Sequence, residues 1–298
     1  MSENEKGVGD GLGVVGLKRH SQIGDVLFRF RKHKVAVAGF FVVVLLAVVA
    51  AFAPALARYN PSAIDPVNAL QFPSAEHWFG TDLFGRDTFS RILYGGRTSL
   101  LVALLGCLVS MVIGGTMGAL AGYKGDKVDV ALMRIIDIMV SVPGVLLAVC
   151  ISALLGAGVW QTALAVSVGG IPQNALLLRS TIFGIRSQDY IEAAKTYGSR
   201  DLRVIVKHVL PNCMAPLIIN VTLSLGANIL MISGLSFIGL GVQPPTVEWG
   251  AMLNEGQTVI RQFWPMVVFP GMAIAISMLG FNLFGDGLRD ALDPKQKH

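Results

Sequence analysis

Long apolar runs recur along this 298-residue sequence, and short polar segments separate them. The first run, Val35–Ala57, has 23 residues and would measure roughly 35 Å as an α-helix, enough to cross the roughly 30 Å hydrocarbon core of a bilayer. Charged residues make up only 14% of the chain, whereas a soluble globular protein carries about 25%. The sequence therefore predicts an all-α, multi-pass integral membrane protein.

About six transmembrane helices are predicted, and the fourth is the weakest because Pro172, Gln173 and Asn174 interrupt it. In chain order the predicted spans are Val35–Ala57, Ser99–Gly122, Ala131–Gly156, Gln161–Leu178, Met214–Gly241 and Pro265–Phe284. Internal prolines do not exclude such spans, because neighbouring helices can satisfy the backbone groups that proline leaves free.

Lysine and arginine residues indicate the orientation, since the cytoplasmic loops of membrane proteins are enriched in them. With the N-terminus inside, the inner segments hold seven, three, six and three of these residues, in 1–34, 123–134, 178–212 and 285–298. The outer loops hold four, none and one, in 58–98, 157–160 and 242–264. Both termini are therefore predicted on the cytoplasmic side. Because the basic residues follow the topology, the net charge of +5 does not indicate a nucleic-acid partner.

Two features near the N-terminus each allow two interpretations. A basic flank, an apolar run and the triplet 55–57 (Ala-Leu-Ala) resemble a signal peptide, but the run is longer than a usual signal core and further spans follow, so we favour an uncleaved helix. Residues 21–34 place apolar side chains at helical spacing opposite basic ones. They fit either an amphipathic helix in the headgroup layer or only a basic flank of the first span.

Motifs of soluble catalysis are missing from the sequence. It contains no G-x-x-x-x-G-K-[ST] loop to hold a nucleotide and no H-E-x-x-H zinc motif, and its five histidines lie outside the predicted spans. The cysteines Cys107, Cys150 and Cys213 have no paired spacing. Arg134 and Asp137 are predicted to form a structural i,i+3 pair. No metal, cofactor or catalytic residue is therefore predicted on this chain.

The predicted inner loop 178–212 carries the most informative pattern. Asp189 can cap a short helix, with Glu192 at the third helical position, and Ala193 and Ala194 keep its surface small. Gly198 allows the tight turn that ends the helix. A second short helix would follow, with an apolar stripe formed by Leu202, Ile205, Val206 and Val209. A small-residue helix exposed to the cytoplasm is a natural projection for a partner's groove.

This loop resembles the E-A-A-x-x-x-G-(x)9-I-x-L-P signature of permease subunits in binding-protein-dependent ABC transporters. Glu192, Ala193, Ala194, Gly198, Leu210 and Pro211 match the signature. His208 stands where the pattern has isoleucine. Further stretches resemble the second permease subunit of the dipeptide, oligopeptide and nickel branch, namely residues 79–91, 95–100, 133–137, 241–250 and 281–290.

The resemblance implies an importer subunit in a bacterial cytoplasmic (inner) membrane. It would pair with a homologous second permease, receive substrate from an extracytoplasmic binding protein, and be driven by two cytoplasmic ATPase subunits that bind ATP and magnesium. The matched residues named above would couple the ATPases to the spans. Dipeptides, oligopeptides and nickel all stay open as substrates. A secondary carrier or channel that works without ATP is the alternative function, and a membrane-embedded enzyme is a weaker one.

The predicted topology divides the chain into four parts. They are a cytoplasmic tail with the amphipathic segment (1–34), the first transmembrane helix with an extracytoplasmic loop (35–98), the core permease domain (99–290) and a cytoplasmic tail (291–298). Within the outer loop, residues 85–87 (Gly-Arg-Asp) are expected to hold the loop together rather than touch substrate. Residues 243–250 are expected to line the outer gate or to contact the binding protein, and the sequence does not choose between these roles.

Overall fold

The computed structural model describes residues 28, 30–188, 191 and 201–292, and within this part of the chain the regular structure is helical apart from one isolated β-bridge between Thr81 and Asp87. The long helices are α1 Lys34–Ala51, α2 Thr88–Lys124, α3 Asp126–Val140, α4 Gly144–Leu155, α5 Val159–Arg186, α6 Leu210–Phe237, α7 Trp249–Gln257 and α8 Pro265–Leu292. Shorter turns are Ala53–Leu56, Pro66–Asn68, Asp201–Val204 and the π-helical turn Ile205–Val209.

Four of the described helices, α1, α2, α6 and α8, are long and apolar enough to cross a membrane. The predicted third span, Ala131–Gly156, is divided in the structure into α3 and α4, which are bent by 85° and pass the same test only as a pair. Pro143 explains the break, because it cannot donate a helical hydrogen bond and disfavours helical geometry in the residue before it. The described residues thus hold four spans, or five with the bent pair, and six stays a prediction.

Helix α5 corresponds to the predicted fourth span and is longer than Gln161–Leu178, continuing through Pro172 to Arg186. Three glycines of α2 allow the backbone of α5 to approach closely, since an added Cβ at each would collide with a carbonyl oxygen of α5. The opposed pairs are Gly114 with Ile171, Gly118 with Ala175 and Gly122 with Arg179. Because all three pairs have the same offset in sequence, α5 runs parallel to α2 and alongside its apolar span.

The largest buried cluster joins α2, α4, α5, α6, α7 and α8 around residues such as Val102, Val166, Ile232, Trp249 and Phe281. Helix α1 packs on the outside against α8, where Gly39 allows it to approach the backbone of residues 283–284. Most of residues 21–34 lie outside the described part of the chain, so both interpretations of that segment stay open.

Candidate coupling surface and polar interior

Four of the six predicted coupling residues, Glu192, Ala193, Ala194 and Gly198, lie outside the described residues, and the other two begin α6. Pro211 is exposed, and Leu210 is half-buried against a cluster of apolar side chains. The π-helical turn Ile205–Val209 directly precedes these two residues. Such a turn is a common accommodation where a helix meets a residue, such as proline, that cannot complete the regular bonding pattern.

The described residues on both sides of residues 192–200 lie in this apolar cluster, which we name the cytoplasmic cluster after its predicted location. Ile191 before residues 192–200 and Val204 and Val209 after them are fully buried. They pack with side chains of α2, α5 and α6, which are Ala119, Tyr123, Leu178, Ile182, Ile185, Cys213 and Leu217. The described residues on both sides of residues 192–200 therefore pack against three helices.

One ion pair at the same end ties α3 to α5. Arg179 binds Asp129 through two parallel hydrogen bonds, with Nη2 to Oδ2 at 2.6 Å. The predicted pair of Arg134 and Asp137 is wrong, because no ion pair joins these two described residues and both are exposed. The i,i+3 spacing permits such a pair, but an exposed pair gains little over separate hydration.

The opposite end of the bundle is held by four charges, which we name the ion-pair quartet: Asp82 and Arg91, which are buried, and Arg86 and Glu255, which are partly buried. Asp82 Oδ2 accepts from Arg86 Nε at 2.6 Å and contacts Arg91 Nη1 at 3.1 Å. Glu255 Oε2 accepts from Arg86 Nη2 at 2.8 Å and Arg91 Nη2 at 2.9 Å. The quartet joins the loop before α2 to helix α7, so two segments far apart in sequence form one cap.

The structure confirms that residues 85–87 hold this loop together. Gly85 has φ +74° and an added Cβ would collide with the carbonyl oxygen of Asp65, so the turn requires glycine. Asp87 caps α2 by accepting from Ser90 N at 2.8 Å, and its other oxygen lies 2.9 Å from His77 Nδ1. Gly85 and Asp87 of the motif therefore each have a structural role in this loop.

Residues 243–250 turn back into the same cap, with only 244–246 exposed. Glu248 begins α7 as its cap and accepts from Gly250 N at 2.8 Å and Ala251 N at 3.1 Å. Its other oxygen accepts from Ser99 Oγ at 2.9 Å, which fixes α7 to α2. Burial raises the pKa of Glu248, while these hydrogen bonds, which favour the charged form, oppose the rise.

Sequence reasoning missed a chain of amides that runs from α2 to α6. Asn174 on α5 is buried and donates to Ser110 Oγ on α2 at 3.2 Å. Asn220 on α6 donates to Asn174 Oδ1 at 2.9 Å, and exposed Gln173 donates to Asn220 Oδ1 at 3.1 Å. The available signal was the interruption of the fourth apolar run by polar residues, and its partners on α2 and α6 were not visible from spacing.

Comparisons with known proteins agree with this helical bundle. Residues 114–298 match the family described as "Binding-protein-dependent transport system inner membrane component". Residues 21–73 match the family described as "N-terminal TM domain of oligopeptide transport permease C". A chain of the MetNI methionine ABC transporter in an inward-facing conformation superposes with a TM-score of 0.57 at 17% identity, covering 69% of this chain and 98% of that one. At that identity the likeness shows the fold alone.

Sequence relatives extend over nearly the whole chain. The dipeptide transport system permease protein DppC of Alkalihalophilus pseudofirmus is 43% identical over 90% of this chain and 88% of its own length. The glutathione transport system permease protein GsiD of Pectobacterium atrosepticum is 41% identical over 90% of both chains. The oligopeptide transport system permease protein OppC of Bacillus subtilis is 36% identical over 91% of this chain and 89% of its own.

These matches define the class as a multi-pass inner-membrane permease of an ABC importer. The chain belongs to the family of binding-protein-dependent transport system inner membrane components.

Proposed function

We propose that this chain is one of two permease subunits of a peptide importer. With a homologous second permease it would form the path for dipeptides or oligopeptides and couple that path to two cytoplasmic ATPase subunits, which bind ATP and magnesium. An extracytoplasmic binding protein would deliver the substrate. The single observation that supports coupling most directly is the burial of Ile191, Val204 and Val209, which anchors the chain on both sides of residues 192–200 in the cytoplasmic cluster.

Glu192, Ala193, Ala194 and Gly198 are proposed as the docking projection for the ATPase, and Leu210 and Pro211 as its link to α6. When nucleotide closes the ATPases, the projection would move, and the cytoplasmic cluster would pass that movement to α2, α5 and α6. This role of the matched residues rests on the resemblance of the motif, and the anchored flanks are the structural feature that fits it.

Peptides are the proposed substrate because relatives at 36–43% identity are named for dipeptide, oligopeptide and glutathione transport. Nickel remains the substrate alternative that the motif resemblance left open. Uptake assays with the cognate binding protein, offered dipeptides, oligopeptides and nickel in turn, would decide between them.

The predicted orientation, with both ends inside, is part of the proposal. In a background without Cys107, Cys150 and Cys213, a cysteine at position 74 should be labelled from the outside by a membrane-impermeant reagent, and a cysteine at position 187 only after permeabilisation. The reverse labelling pattern would refute the orientation and, with it, the cytoplasmic docking of residues 192–198.

The coupling test substitutes Gly198→Val in the complete importer. Valine is disfavoured in the left-handed conformation of a tight turn by roughly 1–2 kcal/mol, so the projection should be misplaced while the spans keep their fold. We expect normal membrane abundance, lost uptake and ATPase activity that no longer responds to substrate. Gly184→Val is the matched control, since Gly184 lies on α5 at the same end with open space around its Cβ position. Parental uptake by Gly198→Val would contradict the coupling role.

The importer and carrier functions predict different results for the isolated chain. As an importer subunit, purified alone and reconstituted in proteoliposomes, the chain should not hydrolyse ATP, because its sequence holds no phosphate-binding loop, and it should take up no substrate. Substrate uptake by the isolated chain under a proton or sodium gradient would favour a secondary carrier instead.

A further inference from the structure

The amide chain ends on Gln173, whose side chain is exposed. Its Nε2 donates to Asn220 Oδ1, and Asn220 in turn donates to the buried Asn174, so the hydrogen bonds all lead inward. Gln173 Oε1 accepts no hydrogen bond within the described residues, and one N–H of Nε2 is also free of partners there. An exposed amide therefore offers one acceptor and one donor to whatever lies beside it.

The position of Gln173 along the bundle follows from the packing of α5. Helix α5 runs parallel to α2 with a constant register, and that register sets Gln173 level with Thr116, within the apolar span of α2. An exposed side chain at this depth faces lipid, a water-filled space or the proposed second permease. Lipid is a poor neighbour, because a polar group in hydrocarbon loses its hydrogen bonds to water without replacement.

The break between α3 and α4 lies beside the same face of α5. Gly144, the first residue of α4, packs against Gly169, with its Cβ position 3.6 Å from the Gly169 Cα. Gly169 is one helical turn before Gln173 and therefore on the same face. The unwound residues 141–143 of the break are exposed. Non-helical backbone at membrane depth is tolerated where it is buried in protein or lines a water-filled cavity, and this chain itself does not bury it.

A groove of about 450 Å³ continues from this position between α4 and α6. It is lined by apolar side chains such as Val145 and Val149 of α4 and Ala227 and Met231 of α6. Ala227 is two turns beyond Asn220 on the same face of α6, so the amides stand at one end of the groove. Three independent features, the amides, the helix break and the groove, thus share one side of the bundle.

We propose that Gln173, held in place by Asn220, hydrogen-bonds the peptide groups of the cargo as they pass through the membrane. This inference rests on the proposed peptide-import function and names a contact site within its path. A primary amide presents the same donor and acceptor as a peptide group, so the two can pair side by side. Because the amide is neutral, it accepts peptides with side chains of either charge and holds them weakly enough to release them.

The test measures peptide uptake by the complete importer in proteoliposomes with Gln173→Leu. Leucine has a similar size but cannot hydrogen-bond, and the loss of one hydrogen bond to the cargo should slow uptake about tenfold. Membrane abundance, co-purification with the second permease and basal ATPase activity should stay at parental levels. Leu164→Ala is the matched control, because Leu164 is an exposed residue of α5 on the face opposite Gln173 and should leave uptake unchanged.

A second variant gives a readout that a purely structural residue would not change. Gln173→Glu places a negative charge at the proposed contact, which should slow the uptake of an acidic dipeptide more than that of a basic one. The ratio of acidic to basic dipeptide uptake by the parental importer is the reference. An unchanged ratio, or parental uptake by Gln173→Leu, would overturn the proposed contact.

Failure of the inference is distinguishable from failure of the proposed function. Co-purification of the unmodified chain with ATPase subunits, and peptide-stimulated ATPase activity, are measured first, and their absence would refute the importer itself. If those hold and Gln173→Leu instead fails to co-purify with the second permease, the amide is an assembly contact and the cargo role is wrong.

Discussion

The two ends of the bundle are built from different interactions. At the predicted extracytoplasmic end, the ion-pair quartet and the Glu248 cap join the loop before α2 and α2 itself to α7 through directional hydrogen bonds that are buried or partly buried. At the predicted cytoplasmic end, the cytoplasmic cluster is apolar, and the polar contacts near it among the described residues include the partly exposed pairs Arg179–Asp129 and His33–Asp290 and a contact from Arg186 to the Gly122 carbonyl.

The difference matters for a permease that must change shape. Charged hydrogen bonds have fixed geometry and are costly to break when buried, so they suit a cap that stays intact. Apolar contacts are non-directional, so packed helices can slide without losing them. We infer that the cap moves as one piece, while helices rearrange at the end where the ATPases are proposed to bind.

The largest expected effect comes from breaking the quartet. Arg91→Ala would leave Asp82 and Glu255 with only Arg86, and removal of one partner from a buried ion pair typically costs about 3–5 kcal/mol. We expect a clear fall in the apparent melting temperature of the detergent-solubilised protein and lower membrane abundance. Arg261→Ala, an exposed arginine in the loop before α8, is the control and should change neither. Equal melting temperatures for the two variants would show that the cap is not held by the quartet.

A smaller effect is expected where α2 and α5 connect the two ends. In Gly118→Ala the added methyl group would collide with the backbone of Ala175, and such overpacking costs about 1–3 kcal/mol. Gly184→Ala adds the same methyl group to α5 where nothing lies within 4 Å, and should be neutral or stabilising by up to about 1 kcal/mol. Melting temperatures that move in the same direction would contradict the close contact of these helices.

Much of the helix inventory was predictable because hydropathy is a local property. Span boundaries were less so: α2 begins at Thr88 rather than Ser99, because its first turns are fixed by the Asp87 cap and by the buried pairs of Arg91, which the apolar pattern does not record. Arg91 and Glu255 are 164 residues apart, so no local spacing could join them. The Arg134–Asp137 prediction failed because local spacing permits the pair, but both side chains are exposed and gain little from pairing.

Of the two parts of the candidate site, the coupling signature was more predictable from sequence than the amide chain. The coupling signature is a contiguous motif and was found from sequence, although Glu192 and Gly198 lie outside the described residues and their role stays a prediction. The amide chain combines Asn174 with Ser110 and Asn220, which are 64 and 46 residues away. In the sequence this amide chain is visible only as polar residues that interrupt an apolar run. Which of these residues are exposed, and which contact α2 and α6, depends on the tertiary structure.

The cap also provides a pH test. Burial raises the pKa of Glu248 above its ordinary value of 4.5, so the folded state binds a proton more readily than the unfolded state. Its contribution to stability is therefore complete below about pH 4.5 and is lost as the pH rises through the folded-state pKa. Glu248→Gln mimics the protonated form, since its amide can accept from Gly250 N and donate to Ser99 Oγ.

Melting temperatures measured from pH 4.5 upward should fall with rising pH more steeply for the parental protein than for Glu248→Gln. The two curves should meet at the acidic end. Parallel curves across the range would mean that Glu248 titrates as an exposed carboxyl group would, and that the cap is more open to water than its burial indicates.

The smallest effect is expected at the cytoplasmic end, and it sharpens the comparison by contrast with Arg91. Arg179 and Asp129 have side chains that are 32% and 14% exposed, and pairs of this kind contribute about 0.2–1 kcal/mol. A double-mutant cycle of Arg179→Ala, Asp129→Ala and both together, read from melting temperatures, should give a coupling energy within that range, and high salt should reduce it. Because the pair bridges α3 and α5 where we expect movement, its removal should change basal ATPase activity of the complex more than its stability. A coupling energy as large as that of the quartet would erase the proposed difference between a locked cap and a mobile cytoplasmic end.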